Sequence, residues 1–266
     1  MIREPATAAA SPFLPTEGIH NLRDYGGYFV PGGARVKTGL LLRSGQHMEA
    51  SEADLETLGR LDIRTIIDLR GASERASFPC RRPAGFNAHV IAYDGETSNS
   101  PPHEGGGGTV EMTPELARER MLAVYTRMPN NPAMLDMFSR YFAALATREG
   151  ASLVHCFAGK DRTGVAASLL LHVLGVSRDD VLGEFLRTND APTTHILERQ
   201  SLPRMEVHYG TIEPAAKRNL MGVLPEYFET YLAEVTRIAG SLDTYLAEAL
   251  GVDEQRKAEL RSRFLA

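Results

Sequence analysis

The sequence has 266 residues, of which 43% are hydrophobic and 24% are charged. This composition excludes a wholly disordered, collagen-like or coiled-coil chain, and a content of only two cysteines excludes a disulfide scaffold. With a net charge of −5, the protein lacks the overall positive potential of a nucleic-acid-binding protein. No nucleic-acid partner is therefore expected. The longest apolar stretch, Val165–Val176, is shorter than the roughly 20 residues that span a membrane. It predicts a buried helix instead, and no integral membrane segment is expected.

The first 18 residues are rich in Ala, Pro, Ser and Thr and follow no helical or strand period. They predict an N-terminal arm, either loose or lying along an edge of the fold. The segment carries Glu4 and three prolines where a secretory signal would have a basic stretch followed by an apolar one. We therefore expect a cytoplasmic protein, or one exported without a recognisable signal peptide.

Short runs of apolar and β-branched residues predict four buried strands of a parallel sheet. In chain order these are Leu40–Arg43, Ile63–Leu69, Ala88–Tyr93 and Ser152–His155. A helix is expected between the first two strands, where Ser51 and Asp54 have the spacing of a capping box. Strands that alternate with helices favour one α/β domain, in which ligands bind beyond the carboxyl ends of the strands.

The segment from Asp94 to Thr109 is a run of Gly, Ser, Pro, Asn and Glu that predicts a flexible loop. We expect a loop or lid over about residues 94–132, because methionines and other apolar residues at 112–128 suit an adaptable surface. The apolar positions in residues 205–227 could also form a lid or interface surface, with ordinary helix packing as the alternative for both segments. Helical patterns dominate the C-terminal part, about residues 190–266. The predicted helices are 114–128, 132–147, 163–174, one from 177, 224–238, 241–250 and 253–264.

The informative segment follows the fourth predicted strand, where Cys156 and Arg162 stand six residues apart. A strand, a tight loop and a helix N-terminus turn several backbone N–H groups toward one point and add partial positive charge there. The guanidinium of Arg162 matches two oxygens of a phosphate. The predicted phosphate-binding residues are therefore Phe157, Ala158, Gly159, Lys160, Asp161 and Arg162.

A positive environment also favours the thiolate form of a cysteine, so Cys156 is expected to attack phosphorus. Attack would form a cysteinyl-phosphate, which water then hydrolyses. Thr163 could donate a hydrogen bond to the sulfur. His155 is expected to orient the loop, because neighbouring side chains of a strand point to opposite faces. A rhodanese-like sulfurtransferase is the chemical alternative, but the Arg-Thr-Gly end of the motif favours phosphate.

The leaving oxygen needs a proton, and two carboxylic acids could supply it. Asp161 lies inside the loop and is the leading candidate, although its cationic neighbours Lys160 and Arg162 favour the carboxylate form. Asp94 follows the third predicted strand and is the alternative general acid.

Other polar residues have structural interpretations. Arg23, Asp24, Asp68 and Arg70 could reach the site, but Asp and Arg near parallel strands more often form ion pairs that hold loops. Cys80 is expected to be inert, with a protective disulfide to Cys156 as the alternative. The eight histidines show no metal-binding spacing, so no metal and no other cofactor is expected.

Taken together, the segment His155–Gly164 resembles the phosphate-binding loop of cysteine-dependent protein tyrosine phosphatases. Its Phe-Ala-Gly-Lys-Asp interior is similar to the bacterial lipid-and-tyrosine phosphatases that include mycobacterial protein tyrosine phosphatase B. Further segments agree with that family over nearly the whole chain: Asn21–Gly27, Leu41–Gly45, Ile67–Arg70, Phe185–Asp190 and Gly240–Asp243.

The resemblance implies a four-stranded parallel sheet flanked by helices, a helical lid and metal-independent phosphomonoester hydrolysis. Residues 19–266 would form a single phosphatase domain. The substrate would be a phosphorylated protein, primarily at tyrosine, and Lys160 resembles the lysine with which lipid phosphatases bind phosphoinositides. A dedicated phosphoinositide phosphatase and a phosphate-binding pseudoenzyme are the alternatives. The Trp-Pro-Asp acid loop of many eukaryotic relatives cannot exist here, because the chain has no Trp.

Overall fold

A computed structural model describes residues 11–97 and 111–266 of the chain. Most of the predicted flexible loop and the first ten residues of the predicted arm lie outside these ranges. The centre of the fold is a sheet with the strand order β1-β2-β5-β3-β4. The strands are β1 (Arg23–Asp24), β2 (Leu41–Ser44), β3 (Ile63–Asp68), β4 (His89–Ala92) and β5 (Ala151–His155).

The four predicted strands form the parallel part of this sheet. The two-residue strand β1 adds an antiparallel edge, which the sequence did not predict because two residues carry no recognisable period. Alternate residues of the central strands pack on opposite faces, as the pleat requires. Leu42, Ile66 and Leu153 contribute to one core, and their neighbours Leu41, Ile67 and Val154 contribute to the other.

The strand register brings three loops to one point. His155 at the end of β5 lies opposite Ser44 at the end of β2 and opposite Asp68 at the end of β3. The carboxyl ends of these parallel strands therefore share one edge of the sheet, with Cys156 directly beyond the central strand. This is the edge at which open α/β sheets bind ligands.

Helices cover both faces of the sheet. Helix α1 packs with the smaller core, whereas α3 to α11 contribute to the larger one. The helices are α1 (Glu52–Arg60), α2 (Ala72–Ser77), α3 (Pro114–Arg127), α4 (Pro132–Thr147), α5 (Asp161–Leu174), α6 (Arg178–Leu186), α7 (Thr194–Tyr209), α8 (Pro214–Met221), α9 (Pro225–Ala239), α10 (Leu242–Leu250) and α11 (Glu254–Phe264). Within residues 11–97 and 111–266, no helix has the length and apolar character needed to cross a membrane.

The predicted helix signals are present in the structure. Ser51 and Asp54 form the capping box of α1, and Ser177 caps α6 by accepting from the backbone of Asp180. Helix α5 is buried along nearly its whole length and ends at Gly175, whose φ of 92° is the left-handed conformation that glycine adopts most easily.

The described part of the N-terminal arm lies against the sheet. Leu14 N–H donates to Leu22 O at 3.0 Å, and Phe13 forms an isolated bridge with Arg23. Glu17 and Gly18 donate their amides to the carboxylate of Asp54. Residues 11–18 therefore form an edge segment, one of the two arrangements that the sequence allowed.

Candidate active site

The loop that follows β5 is bent sharply at Gly159. This residue has a φ of 66°, and a Cβ placed on it would lie 2.3 Å from the backbone carbon of Ser44. Only glycine fits both the conformation and the close approach to the loop after β2. The bend turns the chain into α5, so that Cys156 and Arg162 stand on either side of a concave loop.

The outer side of the loop is held by hydrogen bonds to its carbonyl groups. Asn21 Nδ2 and Arg43 Nη2 donate to Gly159 O at 2.8 and 3.0 Å, and Gln46 N–H donates to Phe157 O at 2.9 Å. Within the described ranges, the amides of residues 157–160 donate to no protein acceptor. With the carbonyls bound on the outside, these amides are free to bind an anion, and the N-terminus of α5 adds positive potential.

A buried network of charges lies behind the loop. Arg23 and Arg43 are both fully buried and share Glu184 Oε1 at 2.8 and 3.3 Å. Burial and the neighbouring Arg43 lower the pKa of Arg23 to about 10, which still leaves it charged at neutral pH. Two buried cations thus face one buried carboxylate, and the excess positive charge favours an anion in the loop.

Arg162 is held in one orientation by a carboxylate from α2. Its Nη1 and Nη2 donate to the two oxygens of Glu74 at 2.6 and 2.8 Å, and Nη1 also donates to Leu69 O and Thr97 Oγ1. Burial acts to lower the pKa of Arg162, but the ion pair with Glu74 outweighs burial and raises it. Nε has no acceptor in the described ranges, so the edge formed by Nε and Nη2 is available to two phosphate oxygens.

His155 is buried at the end of β5. Its Nδ1 lies 3.3 Å from Cys156 O, and its ring stacks on His47 with centroids 5.2 Å apart. Burial lowers the pKa of His155 to about 4, so the ring is uncharged at neutral pH. These contacts hold the backbone at Cys156.

Thr163 lies in the first turn of α5 with a buried hydroxyl that has no hydrogen-bond partner within the described residues. The structure contains no hydrogen bond from Thr163 to Cys156 of the kind that the sequence suggested.

The two candidate acids differ in position. Asp161 lines the cavity above the loop, and its Oδ1 accepts a hydrogen bond from Tyr125 at 2.8 Å. Asp94 is exposed two residues beyond β4 and is not among the residues that line this cavity. The geometry therefore favours Asp161 over Asp94.

Lys160 is buried, and its ammonium group contacts the backbone at the end of α8. Nζ donates to Leu220 O and, at 3.1 Å, to Gly222 O. It also lies 3.6 Å from Asp161 Oδ1. In this arrangement the positive charge lies at the carboxyl end of α8, where the helix dipole favours a cation.

The cavity above the loop has a volume of about 860 Å³ and mainly apolar walls. Helices α7 and α8 provide most of the wall facing the loop, whereas the predicted lid of residues 94–132 contributes only Met121 among the residues described. Arg204 of α7 lies over Phe78 and Phe157 at the wall, 4.4 and 5.9 Å from the ring centroids. The apolar wall residues include Leu197, Met205, Val207, Tyr209, Leu220 and Met221.

Comparison with known proteins assigns this loop to a family. Residues 14–266 match the sequence model of the tyrosine phosphatase family. This chain belongs to that family. The phosphatase is 35% identical to a protein of Cupriavidus necator provisionally named a tyrosine-protein phosphatase, over 95% of this chain and 88% of that protein. It is 27% identical to the triple specificity protein phosphatase PtpB of Mycobacterium tuberculosis, over 86% of this chain and 92% of PtpB.

Family membership confirms the prediction of a protein-tyrosine phosphatase that hydrolyses phosphoesters through a cysteine. Membership of the tyrosine phosphatase family also argues against the alternative of a rhodanese-like sulfurtransferase. A tyrosine-protein phosphatase of Nostoc commune is similar as well, with 28% identity over 88% of this chain and 75% of that protein.

The remaining polar residues singled out in the sequence of this phosphatase have structural contacts. Arg70 pairs with Asp68 through two hydrogen bonds of 2.8 and 2.7 Å, and Asp24 accepts from the amides of Gly26 and Gly39. Cys80 is a free thiol that accepts from Arg70 Nη2 at 3.2 Å. Cys156 is also free.

Several residues that shape the site escaped prediction. Glu74 and Tyr125 lie in ordinary helical sequence far along the chain from Arg162 and Asp161, and no local spacing links them. Arg43 and Asn21 belong to segments that resemble the family. The resemblance marked these segments but did not predict that both side chains hydrogen-bond Gly159 O. The cavity residues of α7 and α8 between 205 and 227 belong to a segment whose apolar positions suggested a lid or interface surface, whereas Leu197 and Arg204 gave no such signal.

Proposed function

We propose that Cys156 is the nucleophile of this phosphatase and that Arg162 and the amides of residues 157–162 bind the transferred phosphoryl group. The observation that carries this proposal is the combination at one loop: unpaired amides, the available edge of Arg162, and a cysteine that lines the same cavity. Donors that are already in place stabilise the charge that develops on the equatorial oxygens.

The reaction proceeds in two displacements. Sγ of Cys156 attacks phosphorus, the bond from phosphorus to the ester oxygen breaks, and Asp161 gives its proton to the leaving oxygen. Water then attacks the cysteinyl-phosphate, Asp161 takes a proton from the water, and the sulfur leaves as thiolate. Inorganic phosphate is the product, and the residues return to their starting states.

Phosphotyrosine is the primary substrate in this proposal. The apolar walls suit the phenyl ring of a phosphotyrosine. The volume of the cavity, about 860 Å³, leaves room for larger leaving groups, so phosphoserine, phosphothreonine and phosphoinositides are further candidates. Lys160 and Arg204 are the two cations of the lining, besides Arg162, that would meet a second anionic group.

The nucleophile is tested by measuring phosphate release from a phosphotyrosine peptide in reductant and chelator. Cys156→Ser is expected to lose release by more than about a thousandfold, because a serine hydroxyl is a far weaker nucleophile than a thiolate. Cys80→Ser is the matched control and is expected to retain activity. Turnover by Cys156→Ser comparable with that of the wild type would reject the proposal, and an inactive wild type that is folded would favour the pseudoenzyme.

Substrate range is tested by ranking phosphotyrosine peptide, phosphoserine peptide and a short-chain phosphoinositide by kcat/KM. Lys160→Met keeps the length of the side chain and removes its charge. If Lys160 serves a second phosphate, this variant loses phosphoinositide turnover several-fold more than phosphotyrosine turnover. Equal losses on the two substrates would assign Lys160 to holding α8 instead.

A further inference from the structure

Among the residues that the structure describes, Tyr125 is the side chain that hydrogen-bonds the carboxylate of Asp161 from a helix outside the loop. It lies on α3, is fully buried, and directs its hydroxyl to Asp161 Oδ1 at 2.8 Å. The ring is fixed on two sides by other helices. It stacks on Tyr227 of α9 with centroids 5.5 Å apart and meets the edge of Phe185 of α6 at 6.1 Å.

The direction of this hydrogen bond follows from the environment of the phenol. Burial and the adjacent Asp161 raise the pKa of Tyr125 well above its usual value. The phenol therefore keeps its proton at neutral pH, and it donates to the carboxylate. It is too weak an acid to protonate a leaving group itself, which leaves proton transfer to Asp161.

The contacts of Asp161 are all on one oxygen. Oδ1 accepts from Tyr125 and lies 3.6 Å from Lys160 Nζ, whereas Oδ2 makes no hydrogen bond within the described residues. Two contacts on the same oxygen restrict the rotation of the carboxylate and leave Oδ2 available as an acceptor or, when protonated, as a donor. Asp161 lines the cavity, where that second oxygen can meet a leaving group or a water molecule.

We propose that Tyr125 is a positioning residue for this reaction, which holds Asp161 by Oδ1 so that Oδ2 exchanges the proton. The inference rests on the proposed role of Asp161 and adds a residue from the wall of the cavity to it. A rigid ring held by α6 and α9 would thus set the angle of a carboxylate on α5, in the way that supporting residues orient catalytic groups elsewhere.

The test is a double-mutant cycle of Tyr125→Phe and Asp161→Asn, measured on phosphotyrosine peptide. Tyr125→Phe is expected to lower kcat about tenfold with little change in KM, because the lost hydrogen bond is to a charged group that acts in the transition state. In the Asp161→Asn background the same change is expected to alter kcat by less than about twofold, since the amide can still accept the hydrogen bond but has no proton-exchanging carboxyl group left to position. Thermal unfolding of each variant confirms that it is folded.

Tyr231→Phe is the matched control. Tyr231 is also a fully buried tyrosine with a raised pKa, but its hydroxyl faces Tyr245 and not a catalytic group. It should retain kcat within about twofold while losing a comparable amount of stability. Tyr227→Leu is a second test. It removes the ring on which Tyr125 stacks and leaves the hydroxyl of Tyr125 present. It should lower kcat in an Asp161-dependent manner.

The outcomes separate this inference from the proposed function. A loss of kcat for Tyr125→Phe that is the same in both backgrounds, or a kcat equal to the wild type, would overturn the positioning role. A fully active Asp161→Asn variant would instead overturn the role of Asp161 on which the inference rests.

Discussion

At the scale of single residues, the chemistry depends on side chains that are held before substrate arrives. Glu74 binds Arg162 through two hydrogen bonds, and Tyr125 binds Asp161 through one. In both cases an uncharged or oppositely charged partner removes the rotational freedom of a functional group. Such preorganisation lowers the entropy that must be lost on the way to the transition state.

Glu74→Gln is expected to lower kcat/KM about tenfold, because the amide keeps one acceptor and loses the charge-assisted pair that orients Arg162. Phosphate release from a phosphotyrosine peptide measures the loss. Glu96→Gln is the control, since Glu96 accepts from Ser73 at the start of the same helix without contacting Arg162. A variant at Glu74 as active as this control would show that Arg162 needs no carboxylate.

Asp161→Asn separates proton donation from other roles of the loop. The leaving oxygen of phosphotyrosine needs a proton, whereas an aryl phosphate with a very good leaving group needs none. We expect kcat to fall about a hundredfold or more on phosphotyrosine and several-fold less on the activated ester. Asp94→Asn is expected to resemble the wild type on both. Equal losses on both substrates would remove Asp161 as the general acid.

At the scale of secondary-structure elements, the decisive feature is the contact between the loops after β5 and β2. Gly159 lies against the backbone of Ser44 and Gly45, so the backbones of the two loops are in direct contact. The loop is bound from behind by Arg43 of β2 and by Gln46. The position of Cys156 therefore depends on a neighbouring strand as much as on its own.

Gly159→Ala is expected to lose about 1–3 kcal/mol of unfolding free energy, because a left-handed φ and a backbone clash cannot both be relieved. Activity should fall about a hundredfold through displacement of the loop. The control is Gly183→Ala in α6, where a Cβ would meet nothing within 4 Å. That substitution should leave activity intact. Thermal unfolding and phosphate release test both variants, and a neutral Gly159→Ala would contradict the proposed contact.

At the scale of the whole molecule, buried histidines make the unfolding free energy depend on pH. Burial lowers the pKa of both His20 and His155 to about 4 and that of His47 well below its usual value. Each of these rings is therefore uncharged in the folded protein at neutral pH. In mild acid the same ring takes up a proton in the unfolded chain but not in the folded one. The division into an arm and a single domain of residues 19–266 stays a prediction, for which one cooperative unfolding transition is the expected result.

The unfolding free energy should therefore decrease with acidification from about pH 6.5 toward about pH 4. In this window the unfolded chain binds more protons than the folded one, so stability rises with pH. Each histidine with a pKa near 4 contributes about 2 kcal/mol of the loss at pH 5. Denaturant titrations at pH 7 and pH 5 measure the change, and His20→Gln should reduce the slope. An unfolding free energy equal at the two pH values would contradict this account.

The chain alone determined the four parallel strands, the central helix and the loop after β5, because these are encoded by local patterns. The period of apolar residues, the capping pair of α1 and the spacing of Cys156 and Arg162 are all short-range features, and they led to the correct family. Beyond these segments, the resemblance to known phosphatases supplied the substrate class and the expectation of a helical lid.

Only the tertiary structure decided which distant residues meet at that loop. Glu74, Tyr125 and Arg43 lie 88, 36 and 116 residues along the chain from their partners, and their contacts arise from strand register and helix packing. The hydrogen bond from Tyr125 to Asp161 and the position of α7 and α8 as the main cover of the cavity have the same origin. Local sequence constrains a residue's own backbone, whereas the partner of a side chain is set by how the elements pack.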